Sequence, residues 1–309
     1  MLRIIGGSAD NMQINKAVYY VMTFIEGKLH LHFFPSSIYL KTVYSVSIGH
    51  KLHLKNPVAF TEKLQWMKLY DRNPKYTNLT DKIAVKDYIE KRVGTDYVIP
   101  TLGIWKTAEE VAIDELPDTF VIKCNHDCNS IVFFDKRKDN WKEKIPFFAR
   151  QLRENYYFAS REWSYKHIKP RIMAEPLLCD KNGGLIDYKF FCFNGKVQFF
   201  KMDFDRYKNH RANYYNRKGD YLDFGEKDYP RDPNRKVEMP SALPKMLEIA
   251  ERLSEDFVFL RVDMYNIDGM IKVGELTLYP GSGLLRYDPN DWDYTIGEFL
   301  ALPKKKCIY

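Results

Sequence analysis

The stretch from Phe259 to Gly283, FLRVDMYNIDGMIKVGELTLYPGSG, decides how the rest of the chain is read. From Phe257 to Tyr265 the residues alternate: Val258, Leu260, Val262 and Met264 on one face, Arg261 and Asp263 on the other. After a polar turn ending in Asp268-Gly269, the run Met270 to Leu278 alternates again. Ile271, Val273, Glu275 and Thr277 oppose Lys272, Gly274, Leu276 and Leu278. Two such runs around a glycine-containing turn make a β-hairpin. Whether Asp263 and Glu275 share a face depends on register, because a slip of one residue reverses the faces. If Asn266 pairs with Gly269, Asp263 opposes Lys272 and Glu275 falls on the far side. If Ile267, Asp268 and Gly269 form a three-residue loop, Asp263 opposes Val273 and Glu275 lies one diagonal step away, about 7–8 Å between α-carbons. Glycine at the third position suits that loop, which needs a positive φ there. The spacing therefore predicts the three-residue loop or a variant of the same parity.

In that register the hairpin carries chemistry. Mg²⁺ takes oxygen ligands and commonly sits between one or two carboxylates and substrate phosphates. Arg261 shares the face and suits a transferring phosphoryl group, and Thr277 adds a hydroxyl. Beyond it, Tyr279-Pro280-Gly281-Ser282-Gly283 can turn tightly and offer backbone N–H groups to an anion. By spacing alone the competing account is two solvent-facing acids on an amphipathic hairpin.

Composition bounds the class. At 309 residues, with 45% hydrophobic and 29% charged residues, the chain reads as folded, with about two domains by length. Its 22 Tyr and 20 Phe fall largely in β-like runs, which excludes a purely helical protein. A net charge of +7 suits an anionic partner such as nucleotide phosphates, an acidic glycan or an anionic membrane face. The aromatics alternate as core residues do, so no nucleic-acid partner is expected. Five scattered cysteines make no disulfide framework, and Cys124, His126 and Cys128 lack a second pair for zinc, consistent with a cytoplasmic chain. No apolar run of transmembrane length and no basic leader with a cleavage site are found. Ile14, Val18, Val21, Met22, Ile25 and Leu29 repeat at helical spacing; this reads as an amphipathic helix docked on its own domain, with peripheral contact to the inner membrane face as the alternative.

Four regions follow along the chain: a helical, basic lead-in over 1–55, a mostly helical region over 56–118, a first α+β unit over 119–186 and a second over 187–309. Thr61 is a cap candidate for a helix carrying Leu64, Met67 and Leu69. A helix after Asp81 ends at Gly94. Thr119–Cys124 is a strand with Phe120, Ile122 and Cys124 on one face; strand character returns over 131–134 after the polar loop 125–130. Trp141 to Tyr165 reads as mostly helical. Asp187–Phe193 and Lys196–Met202 flank Asn194-Gly195, a two-residue turn signal. Residues 205–240 read as a polar surface loop, with a substrate-facing excursion as the alternative, and Pro244 to Leu253 as a helix behind the last hairpin.

Arg261-Val262-Asp263, followed by Glu275-Leu276-Thr277-Leu278-Tyr279-Pro280-Gly281, resembles the closing motif of the ATP-grasp superfamily. The chain is more closely similar to the TupA-like ATP-grasp group associated with polysaccharide synthesis. Asn56-Pro57, Thr61-Glu62-Lys63-Leu64-Gln65-Trp66, Asp81-Lys82-Ile83-Ala84-Val85-Lys86, Phe120-Val121-Ile122-Lys123-Cys124-Asn125-His126, Asp187-Tyr188-Lys189-Phe190 and Phe193-Asn194-Gly195-Lys196 carry the likeness, from about residue 40 to residue 300. The resemblance implies an α+β ATP-grasp fold with two α+β subdomains clasping ATP. It also implies Mg²⁺-dependent transfer of the γ-phosphoryl to a carboxylate and attack on the acyl phosphate by an amine or other nucleophile.

Matched by motif, Asp263, Glu275 and Thr277 correspond to the metal ligands and Arg261 to the arginine beside the transferred phosphate. Lys123 resembles the lysine reaching the α/β-phosphates. Lys86 resembles the earlier phosphate lysine, with Lys82 as its competitor. Glu175 and the backbone around Leu177 correspond to the hinge that meets adenine, and Asp187 to the acid near ribose. Lys189, two residues on, can approach phosphate or pair with Asp187. The chain departs from the pattern twice. Thr277 stands where Asn is usual, and the loop Asn125-His126-Asp127-Cys128-Asn129-Ser130 has no glycine, leaving Ser130 as a donor to phosphate. The implied substrates are a uronic-acid-type carboxylate and an amino compound, with Arg206, His210 and Arg211 as basic candidates for an anionic acceptor. A glycosyltransferase and a non-catalytic nucleotide-binding protein are the competing readings.

Overall fold

The computed structural model describes residues 17–22, 24–25, 34–180, 185–205, 209–235 and 237–303. Alternation in the sequence becomes two antiparallel sheets. The first unit contains β1 (Gly103–Trp105), β2 (Thr119–Cys124), β3 (Val132–Asp135) and β4 (Ile172–Pro176), in the spatial order β1-β4-β2-β3. Phe120, Ile122, Cys124, Ile172 and Ala174 point to one side and form a small core with Phe134 and Phe148, the latter from the helix Trp141–Gln151. Asn140 caps that helix, its side chain accepting from the Lys142 N–H. Through the pairing of β1 with β4, the sheet also takes in a strand that precedes residue 119.

The second unit is a six-stranded sheet ordered β11-β10-β5-β6-β7-β8. Its strands are β5 (Asp187–Phe193), β6 (Lys196–Phe204), β7 (Arg211–Asn216), β8 (Tyr221–Leu222), β10 (Phe259–Ile267) and β11 (Met270–Thr277). A short pair, β9 (Gly225–Glu226) with β12 (Tyr287–Asp288), lies beside it. The reading of 205–240 as a surface loop is corrected here. Arg211–Asn216 is a strand whose middle four residues are buried, paired with β6 from Phe199↔Asn216 to Phe204↔Arg211. Its sequence, RANYYN, lacks period-2 alternation because both faces are covered, so the pattern of a half-buried strand is missing.

The two faces of the large sheet have different roles. Leu260 opposite Cys192 and Val262 opposite Phe190 face the helix Leu243–Ser254, where Cys192 Sγ lies 3.7 Å from the Ala250 carbonyl oxygen. On the other face, Phe193 and Phe259 meet the Phe60 ring at centroid distances of 5.8 and 5.1 Å. Phe60 opens the helix Phe60–Tyr70, so residues 60–70 pack onto the second unit rather than standing apart. The remainder of that face is left for charged side chains.

Thr61 does not cap this helix. Ala59 occupies the cap position, and the buried Glu62 carboxylate accepts from the Val58 and Ala59 N–H groups at 3.0 and 3.3 Å. Thr61 lies inside the first turn; its N–H and hydroxyl donate to the Asp293 carboxylate at 2.9 and 2.6 Å. Asp293 belongs to the helix Trp292–Phe299, so the end of the chain supplies the anion that the helix N-terminus favours. In the lead-in, Ser36–Ile48 is helical, Val18 and Val21 are exposed and Met22 is buried, while Ile14 and Leu29 lie outside the described residues. No described helix is long and apolar enough to cross a membrane.

The junction between these helices is tight. A Cβ at Gly297 would lie 2.2 Å from the Val58 carbonyl oxygen and 2.9 Å from the Phe60 nitrogen, both backbone atoms. Gly297→Ala is expected to destabilise the protein by about 1–3 kcal/mol, measured as a lower urea midpoint at unchanged m-value.

Candidate functional site

The last hairpin reaches its same-face arrangement by a route that turn chemistry did not indicate. Ile267 pairs with Met270, so the turn has two residues, Asp268 and Gly269, at φ 51° and 96°. The expected three-residue loop is therefore incorrect. Both positive φ values are what primed hairpin turns require. Continued regularly, this register would place Asp263 opposite Gly274 and Glu275 on the wrong face. Instead Met264 pairs with Val273 and Asp263 with Glu275, leaving Gly274 as an extra residue in a β-bulge. A Cβ at Gly274 would lie 2.7 Å from the Tyr265 ring, so the absent side chain is what lets the ring pass. Arg261 then pairs with Thr277, completing the row on one face.

That row continues across the sheet. Asp263 also pairs with Lys189 on β5, and Lys189 with Lys201 on β6. Arg261 grips the Asp263 carboxylate through two hydrogen bonds of 2.7 Å and donates to Thr277 Oγ1 at 3.1 Å. Lys189 Nζ contacts Asp187, and lies 3.3 Å from Asp263 and 3.2 Å from Asp203. Burial alone would raise the Asp263 carboxyl, but Arg261 and Lys189 hold it below the usual carboxylate range. Glu275 is different: its side chain is 42% exposed and lies 4.0 Å from Arg261. Lys201, Asp203 and Glu226 extend the network, Lys201 reaching Glu226 at 3.0 Å and Asp203 at 3.4 Å. Sequence reasoning missed these three. The alternation of Lys201 with Asp203 was a signal. Its connection to Lys189 depends on a second bulge between Phe191 and Cys192, which the Asn194-Gly195 turn does not reveal.

On the smaller sheet, Val121, Lys123, Met173 and Glu175 share the face opposite its core, with Ile104 and Phe133 beside them by pairing. Glu175 is buried and binds both phosphate-lysine candidates, Lys86 at 2.6 Å and Lys123 in a closer contact. Burial would push this carboxyl up, yet Lys123 and Lys86 lower it. Lys86 also donates to the Ile99 carbonyl at 2.8 Å and to Thr101 Oγ1 at 2.7 Å. Its competitor Lys82 binds the Asp127 carbonyl instead and belongs to the loop. Glu175 thus uses its carboxylate on lysines, a different employment from the adenine contact expected of it. Leu177 follows the end of β4, exposed like Leu102, Ile104 and Phe133.

The glycine-free loop is built on an aspartate. Asp127 Oδ1 accepts from the Asn129 and Ser130 N–H groups, each at 3.1 Å, and from Ser130 Oγ at 2.6 Å. An internal carboxylate therefore occupies the donors that a glycine-rich loop offers to phosphate. Ser130 is fully buried and also contacts the Cys124 nitrogen at 2.7 Å, so its hydroxyl is turned inward and away from the phosphate role expected of it. The Asn125 amide ties the loop to Asp81 at 2.9 Å. Cys128 Sγ lies 3.1 Å from Tyr165 OH, and burial, then the neighbouring Cys128, Glu162 and Glu275, push the Tyr165 phenol far above its ordinary value. The loop therefore approaches Glu275 on the other unit.

Of the basic candidates between β6 and β7, Arg206 lies outside the described residues. His210 sits 3.2 Å from Asp203 and stacks on Tyr229 at 4.1 Å between ring centroids, making it part of the charged network. Arg211 is half-buried at the start of β7.

Among the described residues no three His, Cys, Asp or Glu side chains converge as an all-protein metal cage requires. The donor set nevertheless fits Mg²⁺ shared with phosphates: two directly paired carboxylates on one face, Asp263 and Glu275, with the Thr277 hydroxyl one step along the strand.

Several solved structures align with the chain. Phosphoribosylamine–glycine ligase from Thermotoga maritima aligns at 14% identity and a TM-score of 0.42, covering 68% of this chain and 51% of that one. D-alanine–D-alanine ligase from Bacillus anthracis, complexed with ATP, aligns at 14% identity and 0.38, covering 65% and 53%. A RimK domain ATP-grasp protein from Sphaerobacter thermophilus aligns at 12% identity and 0.40, covering 79% and 71%. The chain thus spans about half the length of the first two. No curated protein matches it in sequence. The family model described as TupA-like ATPgrasp matches residues 62–301, from the helix at Phe60 through the helix Trp292–Phe299, and the chain belongs to the TupA-like ATP-grasp family.

Proposed function

We propose that the protein is an ATP- and Mg²⁺-dependent carboxylate–amine ligase acting through an acyl phosphate. The observation that carries this reading is the bulge-set pairing of Asp263 with Glu275, with Arg261 and Thr277 beside them, together with the Lys86–Glu175–Lys123 cluster on the smaller sheet. Leu102, Ile104 and Leu177 offer an apolar surface for adenine. Lys86 and Lys123, relayed by Glu175, neutralise the α- and β-phosphates. Arg261 and Lys189 lie where charge develops on the transferred phosphoryl. Asp263, Glu275 and Thr277 would hold Mg²⁺, which draws charge from the phosphate oxygens when bound. Asp187, already paired with Lys189, is assigned to the ribose side.

Because Asp127 uses the loop donors, side-chain cations rather than backbone N–H groups carry phosphate recognition in this reading. The carboxylate substrate is proposed to be an acidic sugar of the uronic-acid type, joined to an amino compound in surface polysaccharide synthesis. Its support is the family and the basic His210 and Arg211. Cytoplasmic placement, with peripheral contact to the inner membrane face, belongs to the same proposal. The region limits carried with it are 1–55, 56–118, 119–186 and 187–309, the third extended upstream to include β1.

Two measurements test the site. Asp263 is buried, and its removal leaves the Arg261 guanidinium without its carboxylate partner at a cost of about 3–5 kcal/mol, so half-exposed Glu275 is the cleaner probe. Glu275→Gln is expected to lower carboxylate-dependent ADP release by about 10²–10³-fold with an unchanged melting temperature. Activity within twofold of wild type would count against the metal role. Separately, Lys86→Met and Lys123→Met are each expected to weaken Mg–ATP binding by about 10–100-fold in calorimetry. The double variant should lose less than the product of the two, because both lysines share Glu175.

A further inference from the structure

Behind the metal-side hairpin lies a buried cluster that neither phosphate nor adenine recognition uses. Glu162 follows the short helix Tyr156–Ser160, where Arg161 takes a φ of 57°, a left-handed conformation costly for a residue with a side chain. Across from it, Ser282 takes a φ of 55° in the turn after β11. Both strained residues are locked in place: the Arg161 guanidinium lies 4.1 Å from the Tyr39 ring centroid, and Gln65 Nε2 donates to the Ser282 and Gly283 carbonyls at 3.0 and 2.7 Å.

Lys68 sits between the two segments. Its ammonium donates to the Ser160 carbonyl at 2.9 Å and to Ser282 O and Oγ at 2.8 Å each, so its three hydrogens are taken. The Glu162 N–H donates to Ser160 Oγ at 3.1 Å, and Lys68 balances the Glu162 charge without touching it. Burial, offset in part by Lys68, pushes the Glu162 carboxyl up to about 7. Beside the cluster, Gln65 Oε1 and Tyr279 OH are buried with no hydrogen-bond partner, so polar capacity remains unfilled there.

Glu162 is 6% exposed. With Thr80 and Tyr165 it lines a small opening whose other wall is the strand Glu275–Thr277 and Leu278. A carboxylate with lone pairs to spare, facing the carboxylate beside which the acyl phosphate forms, attracts a cation and repels an anion. We infer that Glu162, beside Ser282 and Lys68, receives the ammonium of the incoming amine and takes its extra proton, leaving the neutral amine to attack, and so selects an amine that arrives as a cation. This rests on the ligase reading above. Glu162 is a binding residue on the acceptor side, and the phosphoryl step does not involve it.

The test uses the full chain with ATP, Mg²⁺ and glucuronate or galacturonate, and two kinds of nucleophile. Hydroxylamine, uncharged at neutral pH, traps any acyl phosphate as a hydroxamate. Ammonium ion, ethanolamine and glycine methyl ester report cationic amines. In Glu162→Gln the KM for cationic amines should rise about 10–100-fold, the loss of one charge-assisted hydrogen bond, while hydroxamate formation stays within about twofold of wild type. Ser282→Ala, which removes the hydroxyl that Lys68 contacts beside Glu162, should raise the same KM by a smaller factor. Unchanged amine KM in Glu162→Gln, or equal loss with hydroxylamine and with amines, would overturn the inference. Wild-type protein that forms no hydroxamate with either sugar acid would instead bring down the uronic-acid ligase reading on which it rests.

Discussion

The structure depends on one buried ionic contact. Asp263 sits in the middle of a six-stranded sheet, with the Arg261 guanidinium on one side and the Lys189 ammonium on the other. Taking these charges out of water is costly, and only close, multiple pairing offsets it. That requirement fixes which face of the sheet is polar. It obliges β5 and β10 to pair in the register that brings Lys189 opposite Asp263, and leaves aromatic packing to the end of the same face under Phe60. The exposed Glu275 is the one acid of the group with freedom to respond to a ligand.

A parallel economy governs the smaller unit. One buried glutamate, Glu175, orients two lysines from different elements, Lys86 from a helix and Lys123 from β2. Joined by a common carboxylate, the two ammonium groups form one cationic surface. The adjoining loop achieves order by a related device, folding around its own Asp127 instead of relying on glycine. An ammonium pair in place of a backbone anion nest makes recognition depend more on charge and less on close backbone approach.

Much of this was legible in the chain. The strands at Thr119–Cys124, Asp187–Phe193 and the last hairpin, and the helix Leu243–Ser254, follow from alternation and turn residues. So does the two-residue turn at Asn194-Gly195, where Phe193 pairs with Lys196. Arg211–Asn216 was illegible because a strand buried on both sides loses its alternation. The Thr61 cap failed because the anion at that helix start comes from Asp293, far along the chain. Lys201, Asp203 and Glu226 gained significance only from neighbours brought in by strand pairing.

The last hairpin divides the two sources of information most clearly. Sequence by itself determined that Asp263, Arg261, Glu275 and Thr277 occupy paired strands at spacings able to converge, since side-chain alternation is a local property of the backbone. It could not determine the register. The turn proved shorter than expected, and the convergence depends on a bulge at Gly274, where the Tyr265 ring crosses. Tertiary structure alone decided this, and it likewise decided that Glu162 reaches Glu275's side of the molecule, because both outcomes depend on contacts between segments that are independent in sequence.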